Sequence, residues 1–294
     1  MRVFVTGATG FVGSAVVQDL LEAGHQVLGL ARSDASAATL AATGAEVHRG
    51  DLEDLDSLRA GATQAEGVIH TGFVHDFTRF AEMCALDARV IAALGNALAG
   101  SNRPLVITSG TALVSPGQLA VETTRVGPNN HHPRAASEQA ADAAQAIGVN
   151  TRVVRLSPSV HGAGDHGFVP LLINLAREKG CAGYIGDGQN QWSAVHRLDA
   201  ARLYRLALER GETGARYHGV GEQAIAFRDT ATAIGNGLNL PVTAQPPEHF
   251  GWFGGFAGLD CPASSELTQT QLGWKPEHPG LLADLDPAGS YFSA

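Results

Sequence analysis

Three glycines in the stretch VTGATGFVG, Gly7, Gly10 and Gly13, are the first residues whose spacing implies chemistry. They follow a short apolar run and open a helical pattern, which is the context that gives a glycine triplet meaning. Gly7 permits a tight turn, Gly10 admits backbone close to a pyrophosphate, and Gly13 lets the helix pack against a sheet. Backbone N–H groups at the helix N-terminus then favour phosphate charge. Thr6, Phe11 and Val12 complete this loop, and the expected ligand is a dinucleotide.

The end of the next apolar run selects between dinucleotides. An acidic residue there accepts hydrogen bonds from a ribose 2′-OH, whereas its replacement by Arg suits a 2′-phosphate. In GLARSD, Ala31 holds the acidic position and is followed by Arg32 and Ser33. A guanidinium binds a phosphate bidentately, and a serine adds a hydroxyl donor. Asp34 would serve an unphosphorylated ribose if the turn ran differently. NADP(H) is expected over NAD(H).

The elements that must position these groups alternate along the first half of the chain. RVFVTG, HQVLGLA, AEVHRG, EGVIHTG, RPLVITSG and TRVVRLS read as strands. Between them lie helical patterns, two of which end on Gly24 and Gly44, with long Ala-rich ones over Thr78–Ala99 and about Pro133–Ile147. Alternation of this kind implies a parallel sheet covered on both faces. The expected fold is α/β, a Rossmann-type doubly wound parallel sheet with a smaller C-terminal α+β substrate lobe. The cofactor domain is expected over 1–158, with a return near SAVHRLD at about 191–218. The lobe takes 159–190 and 219–294, where Gly, Pro and His become frequent.

Composition excludes several functions. The chain has 294 residues, 44% of them hydrophobic, and a formal net charge of −9. Its two lysines, Lys179 and Lys275, form no basic run, so nucleic acid is not an expected partner. Three separated cysteines suggest neither disulfides nor zinc, and the twelve histidines form no His-Glu-x-x-His pattern. No metal site is expected. MRVFVTG enters a strand without a targeting pattern, and no apolar run reaches membrane-spanning length. A cytoplasmic location, a small-molecule substrate and no membrane contact follow as expectations.

In order, TGATGFVG, GDLED, VIHTG, VITSGTAL, RLSPSVHG, AVHRLDAARL and LGWKP resemble the short-chain dehydrogenase/reductase superfamily, in its extended and atypical, epimerase/dehydratase-like branches. The resemblance runs nearly end to end. It implies that Asp51 and Leu52 flank an adenine, that Thr71 and Gly72 border the cofactor, and that Pro158 and Val160 wrap the nicotinamide. It also implies a homodimer built on the two Ala-rich helices.

In that superfamily a Tyr-x-x-x-Lys pair and a Ser/Thr carry the chemistry, and no Tyr-x-x-x-Lys exists in this chain. Counting from Glu138, the Lys position falls on Arg134 and the Tyr position on Asn130, which resembles a subgroup with basic residues in place of the pair. Arg134 could bind ribose hydroxyls, although it could equally form a surface pair with Glu138 four residues on. A guanidinium cannot act as a general acid. His131 and His132 precede Pro133, expected at the first helical position, and titrate near neutrality. Either could replace the tyrosine proton, or merely shape the turn. The catalytic Ser falls on Ser109 or Gly110, which leaves Ser109 and Thr111 as hydroxyls for a substrate carbonyl or for strand-end backbone groups.

Phe73, His161, His166, Trp192 and His196 are the expected substrate contacts, His166 from a glycine-hinged loop, while Asp199 is read as a helix cap. The leading expectation is hydride transfer between NADP(H) and a small carbonyl or alcohol, with a proton donor other than tyrosine. Two alternatives stand beside it: a non-catalytic NADP(H)-binding sensor or scaffold, and a sugar-nucleotide epimerase or dehydratase.

Overall fold

The computed structural model describes residues 1–127, 130–287 and 289–292; the end of the expected lobe, 293 and 294, lies outside the described residues. The first half runs β1 (Arg2–Thr6), α1 (Phe11–Glu22), β2 (Gln26–Ala31), α2 (Asp34–Ala42), β3 (Glu46–Arg49), α3 (Leu55–Thr63) and β4 (Gly67–His70). It continues through α4 (Phe80–Leu98), β5 (Pro104–Gly110), α5 (Ala135–Ala146) and β6 (Asn150–Leu156). Then follow β7 (Ser159–His161), α6 (Phe168–Lys179), β8 (Ala182–Ile185), β9 (Gln191–His196) and α7 (Arg197–Arg210). The last named elements are β10 (Arg216–Gly219), β11 (Glu222–Ala226), α8 (Phe227–Leu238) and β12 (Val242–Gln245).

Seven strands form one sheet in the order β10-β6-β5-β4-β1-β2-β3, and every neighbouring pair is parallel. The central strands β1, β4, β5 and β6 are largely buried, as parallel strands covered on both faces must be, whereas β3 at the edge is partly exposed. One face packs Val16 and Leu20 of α1 and Leu203 and Tyr204 of α7; the other packs Leu58 of α3, Ile91 and Leu94 of α4 and Ala141 of α5.

A third core, around Trp192, Phe227 and Phe253, belongs to the lobe. There β11-β9-β7 form a three-stranded sheet and β12-β8 a parallel pair. The stretch SAVHRLD is therefore not the return to the main sheet. Its strand, β9, pairs with β7 and β11, and the chain returns through α7 and β10. Two helix starts also differ from expectation. A 3₁₀ turn at Phe77–Arg79, capped by Asp76, precedes α4, and α5 begins at Ala135, leaving Pro133 in the turn before it.

Candidate active site

Strand order reverses beside β1, where Thr6 lies opposite His70 of β4. Such a switch point opens a crevice at the carboxyl ends of the strands. Gly7 adopts φ +68°, and a Cβ there would approach the Gly72 backbone N to 2.7 Å. A Cβ on Gly13 would stand 2.0 Å from the Gly7 carbonyl oxygen. Backbone therefore packs on backbone, and only glycine fits at either place. Helix α1 starts from Gly10 without a side-chain cap, which leaves its first N–H groups for an anion. Thr71 Oγ1 donates to the Thr6 carbonyl at 2.8 Å and Gly72 N–H donates to Thr6 Oγ1 at 3.3 Å. The structure thus gathers Thr6, Gly7, Gly13, Thr71 and Gly72 in one crevice, with Phe11 and Val12 half-buried at its helix. These residues fit a dinucleotide.

At the end of β2, Arg32 is 80% exposed and its Nε lies 3.6 Å from Asp51 Oδ2. Ser33 forms a reciprocal cap with Ser36 at the start of α2. Asp34 points outward and pairs with Arg49, whose other amine donates to the Ser33 carbonyl at 2.6 Å. Two guanidinium groups, Arg32 and Arg49, consequently frame this corner. Leu52 lies behind it against Gly72.

At the opposite end, Arg134 does not pair with Glu138. Its guanidinium donates to Asp87 Oδ2 at 2.6 Å, to Ser137 Oγ, and to the Thr108 carbonyl at 3.2 Å, and it lies 4.3 Å above the Phe73 ring. Asp87 is buried and also accepts from His70 Nε2 at 2.9 Å, while His70 Nδ1 meets Thr6 Oγ1 at 2.6 Å. A continuous polar chain thus runs from beneath the glycine loop to Arg134. Burial opposes the Asp87 charge, but Arg134, His70 and Ser137 outweigh it and hold the carboxyl well below the usual carboxylate range.

The expected hydroxyls are differently engaged. Ser109 Oγ is buried and donates to Glu138 Oε1 at 2.7 Å, so it serves an internal network rather than the crevice. Thr111 is buried as well, with Oγ1 at 3.3 Å from Ser193 Oγ and 3.4 Å from the Leu156 carbonyl. Asn130, at the tyrosine position, ties its own loop: Nδ2 donates to the Leu113 carbonyl at 3.4 Å and Oδ1 accepts from His132 N–H at 2.9 Å. His132 Nδ1 in turn accepts the Arg134 N–H at 3.2 Å; burial, then the Arg134 charge, lower its pKa. His131 is exposed.

Several expected substrate contacts are structural. His161 is buried against Asp284 at 2.6 Å. His196, not Asp199, caps α7 by accepting from Leu198 N–H at 3.3 Å, and its Nε2 faces Gly162. Asp199 accepts instead from the Glu277 and His278 N–H groups, both at 3.0 Å, and from the His278 ring. The side chains of His196, Asp199 and His278 bring potential ligand atoms within 4.8 Å of one another, but these bonds and the stacked imidazoles occupy them. Trp192 is buried, its indole donating to the Leu259 carbonyl at 3.0 Å.

His166 and Phe73 do face the crevice. The His166 ring meets Phe11 of the glycine loop edge-on at 5.7 Å, and Arg197 ties the same loop down through Ala163 and Ser14. Val160 packs against the first core and Pro158 is half-buried beside it. Above Phe73 rises an aromatic wall that joins both parts of the molecule: Phe77 stacks on Trp252 at 4.6 Å and on Phe80 at 5.9 Å, with Phe168 at 6.3 Å. Trp252 is 61% exposed at its rim. Among the described residues, Arg134 is the only cation stacked on these rings.

Sequence reasoning passed over Asp87, His70, Ser137 and His75. Asp87 carried a readable signal: a carboxylate between Leu86 and Val90, on the apolar face of a helix, demands a buried partner.

The geometry agrees with the likeness found among known proteins. Residues 3–220 match the NAD dependent epimerase/dehydratase family, and the chain belongs to it. Within that class, it is 50% identical to an uncharacterized protein, C2A9.02, of Schizosaccharomyces pombe, over 99% of this chain and 100% of the other. It is 29% identical to a 2-alkyl-3-oxoalkanoate reductase of Stenotrophomonas maltophilia, covering 82% of this chain and 72% of that one. In fold it matches DesIV, a dTDP-glucose 4,6-dehydratase of Streptomyces venezuelae solved with NAD bound, with a TM-score of 0.77 at 21% identity over 97% and 96% of the two chains.

Proposed function

We propose that the protein is an NADP(H)-dependent carbonyl reductase or dehydrogenase acting on a small uncharged substrate. The observation that carries this reading is Arg134, fixed by Asp87 and the Thr108 carbonyl and only 16% exposed, at the crevice end of α5. A guanidinium held there can bind ribose hydroxyls through its remaining N–H groups. Its charge is already balanced by Asp87, so it makes a poor diphosphate anchor, and the aromatic wall suits an apolar carbonyl compound better than a sugar nucleotide. Similarity to a named oxoalkanoate reductase supports the same direction.

When bound, the nicotinamide supplies or accepts hydride. The chain's own residues do the rest. The glycine loop would hold the pyrophosphate on the α1 N-terminus, Arg32 and Arg49 would bind the 2′-phosphate, and Arg134 would orient the ribose. Phe73 and Phe77 exclude water from the substrate side. Arg134 cannot release a proton, so a histidine or water must provide it.

Absorbance at the reduced-nicotinamide band, followed with a panel of aldehydes and ketones, tests this reading. Consumption of NADPH is expected, with weaker use of NADH. The non-catalytic sensor remains a second reading because Asn130 holds its own loop in the place of the tyrosine. Tight NADPH binding with no consumption across the panel decides in its favour.

We further propose a homodimer through the outer faces of α4 and α5, where Ala81, Ala85, Ala92 and Ala143 are exposed, to be checked by sedimentation. No helix of the described residues is long and apolar enough to cross a membrane; a cytoplasmic location is part of the same proposal.

A further inference from the structure

A reductase without the tyrosine needs another group that can hand a proton to the nascent alkoxide. Four histidines come near the crevice, and their hydrogen bonds separate them. His132 uses Nδ1 to accept the Arg134 N–H, a bond that protonation at that nitrogen would break. His166 points Nδ1 at the Gly164 carbonyl at 3.4 Å and rests on Phe11. His70 is sealed between Thr6 and Asp87.

His75 is placed otherwise. It sits on the segment that leaves the carboxyl end of β4, two residues after Phe73 of the crevice. Its ring meets Phe73 edge-on at 5.1 Å, and Phe73 carries Arg134 at 4.3 Å. Phe77, at the base of the Trp252 stack, lies 6.2 Å away on the substrate side. The Phe73 backbone lies close enough to favour the protonated ring. The residue is exposed, so solvent can restore a proton to the ring.

We propose that His75 is the general acid of carbonyl reduction, standing where the first residues of this chain's aromatic wall meet the ribose-binding arginine. The proposal rests on the reductase reading above. Hydride from the reduced nicotinamide forms the new C–H bond, the C=O π pair moves to oxygen, and that oxygen takes the proton from the His75 imidazolium. His75 is left neutral and recovers a proton from water; in the reverse direction it accepts the alcohol proton.

The groups that face it set its titration. Burial and the charges of Arg134 and His166 lower its pKa from the ordinary value, while the Phe73 carbonyl and Asp87 partly restore it. On its own segment, Asp76 is turned away to cap the Phe77–Arg79 turn. As pH rises, the imidazolium is therefore lost earlier than that of an ordinary histidine, and reduction slows through that lowered value, whereas oxidation speeds up.

Three measurements on the full chain test this. His75→Gln is expected to lower kcat for carbonyl reduction by about 10²–10⁴-fold and to abolish the pH limb, with NADPH affinity kept. His132→Gln is expected to keep the limb. In the imidazole NMR spectrum, NADP⁺ is expected to move the His75 midpoint to lower pH, because a positive nicotinamide ring adds a like charge beside it, while exposed His131 stays put. A His75→Gln protein with wild-type rate and limb overturns this proposal alone, as does a His75 midpoint indifferent to NADP⁺. A wild-type protein that binds NADPH and reduces no carbonyl overturns the reductase reading and this proposal together.

Discussion

Two buried carboxylates, Asp87 on α4 and Glu138 on α5, each hold an arginine, and the contrast between them locates what function the chain retains. Glu138 takes both prongs of Arg155 at 2.8 Å, and both side chains are buried. The remaining Arg155 amine donates to the Thr124 carbonyl and to His218, Ser109 donates to Glu138 Oε1, and Arg216 Nε lies 3.7 Å from Glu138 Oε2. Every bond points inward. Asp87 has the same chemistry, but its arginine ends at the crevice, stacked on Phe73 with N–H groups left for a ligand. A buried ion pair by itself marks neither stability nor function; what decides is whether one member still faces a space another molecule can enter.

The largest expected effect lies at the sealed pair. Glu138→Ala leaves Arg155 charged and unpaired in the interior, and should cost about 3–5 kcal/mol of stability in urea unfolding. Replacing both Glu138 and Arg155 by Met should cost less than the single change. Arg134→Ala should cost only about 1–3 kcal/mol, because Asp87 keeps His70 and Ser137, yet it should weaken NADPH binding far more than Glu138→Ala does in the folded fraction. If the two variants lose stability equally and bind NADPH equally, the contrast fails.

Acid separates the same two regions. His218 donates from Nδ1 to the Ser264 carbonyl at 2.8 Å and accepts at Nε2 from Arg155 at 3.2 Å, so its neighbours demand the neutral ring. Burial, then the Arg155 charge, push its pKa down to about 4. Because the unfolded chain takes up that proton near the ordinary 6.5, the stability His218 contributes is complete above about pH 6.5 and is lost as pH falls toward 4. Asp87 is also depressed, but from a carboxylate value, so its contribution survives until pH falls below about 3.9. Unfolding free energy should therefore begin to fall in the His218 window, and His218→Gln should reduce that slope, the rest coming from other histidines with lowered pKa values such as His75 and His132. A slope unchanged in the variant would show that the sealed network does not govern it.

How much of this could be read beforehand follows from the range of the interactions. The glycine loop was legible because strand, turn and helix are contiguous, and the physical reason for each glycine is local. Gly24 and Gly44 ended their helices for the same reason, at φ +83° and +90°. Ser109, His161 and His196 were expected at the site, but Ser109 and His161 bond Glu138 and Asp284 from other parts of the chain, and His196 caps α7 and stacks on the distant His278. Polar residue types beside a motif looked like a site, whereas tertiary bonds had already claimed them. His75 went unnoticed because it falls in no motif; only the packing of Phe73 between it and Arg134 gives it meaning.

The smallest expected effect is at the open, solvated end of the crevice, where the Arg32 guanidinium lies 3.6 Å from Asp51 and is otherwise largely exposed. An 80% exposed guanidinium stabilises the fold little, so Arg32→Ala should leave unfolding free energy within about 0.5 kcal/mol of wild type. Its charge matters only to a ligand that brings a phosphate to that corner. NADPH affinity should fall by about tenfold, the equivalent of about 1.4 kcal/mol, with NADH affinity unchanged, since Arg49 continues to face the same corner. Added salt should shrink the difference between wild type and variant, as screening of an exposed charge requires. Equal losses for both dinucleotides would mean that Arg32 shapes the loop rather than reads the 2′-phosphate. NADH binding more tightly than NADPH to the wild-type protein would overturn the cofactor assignment itself.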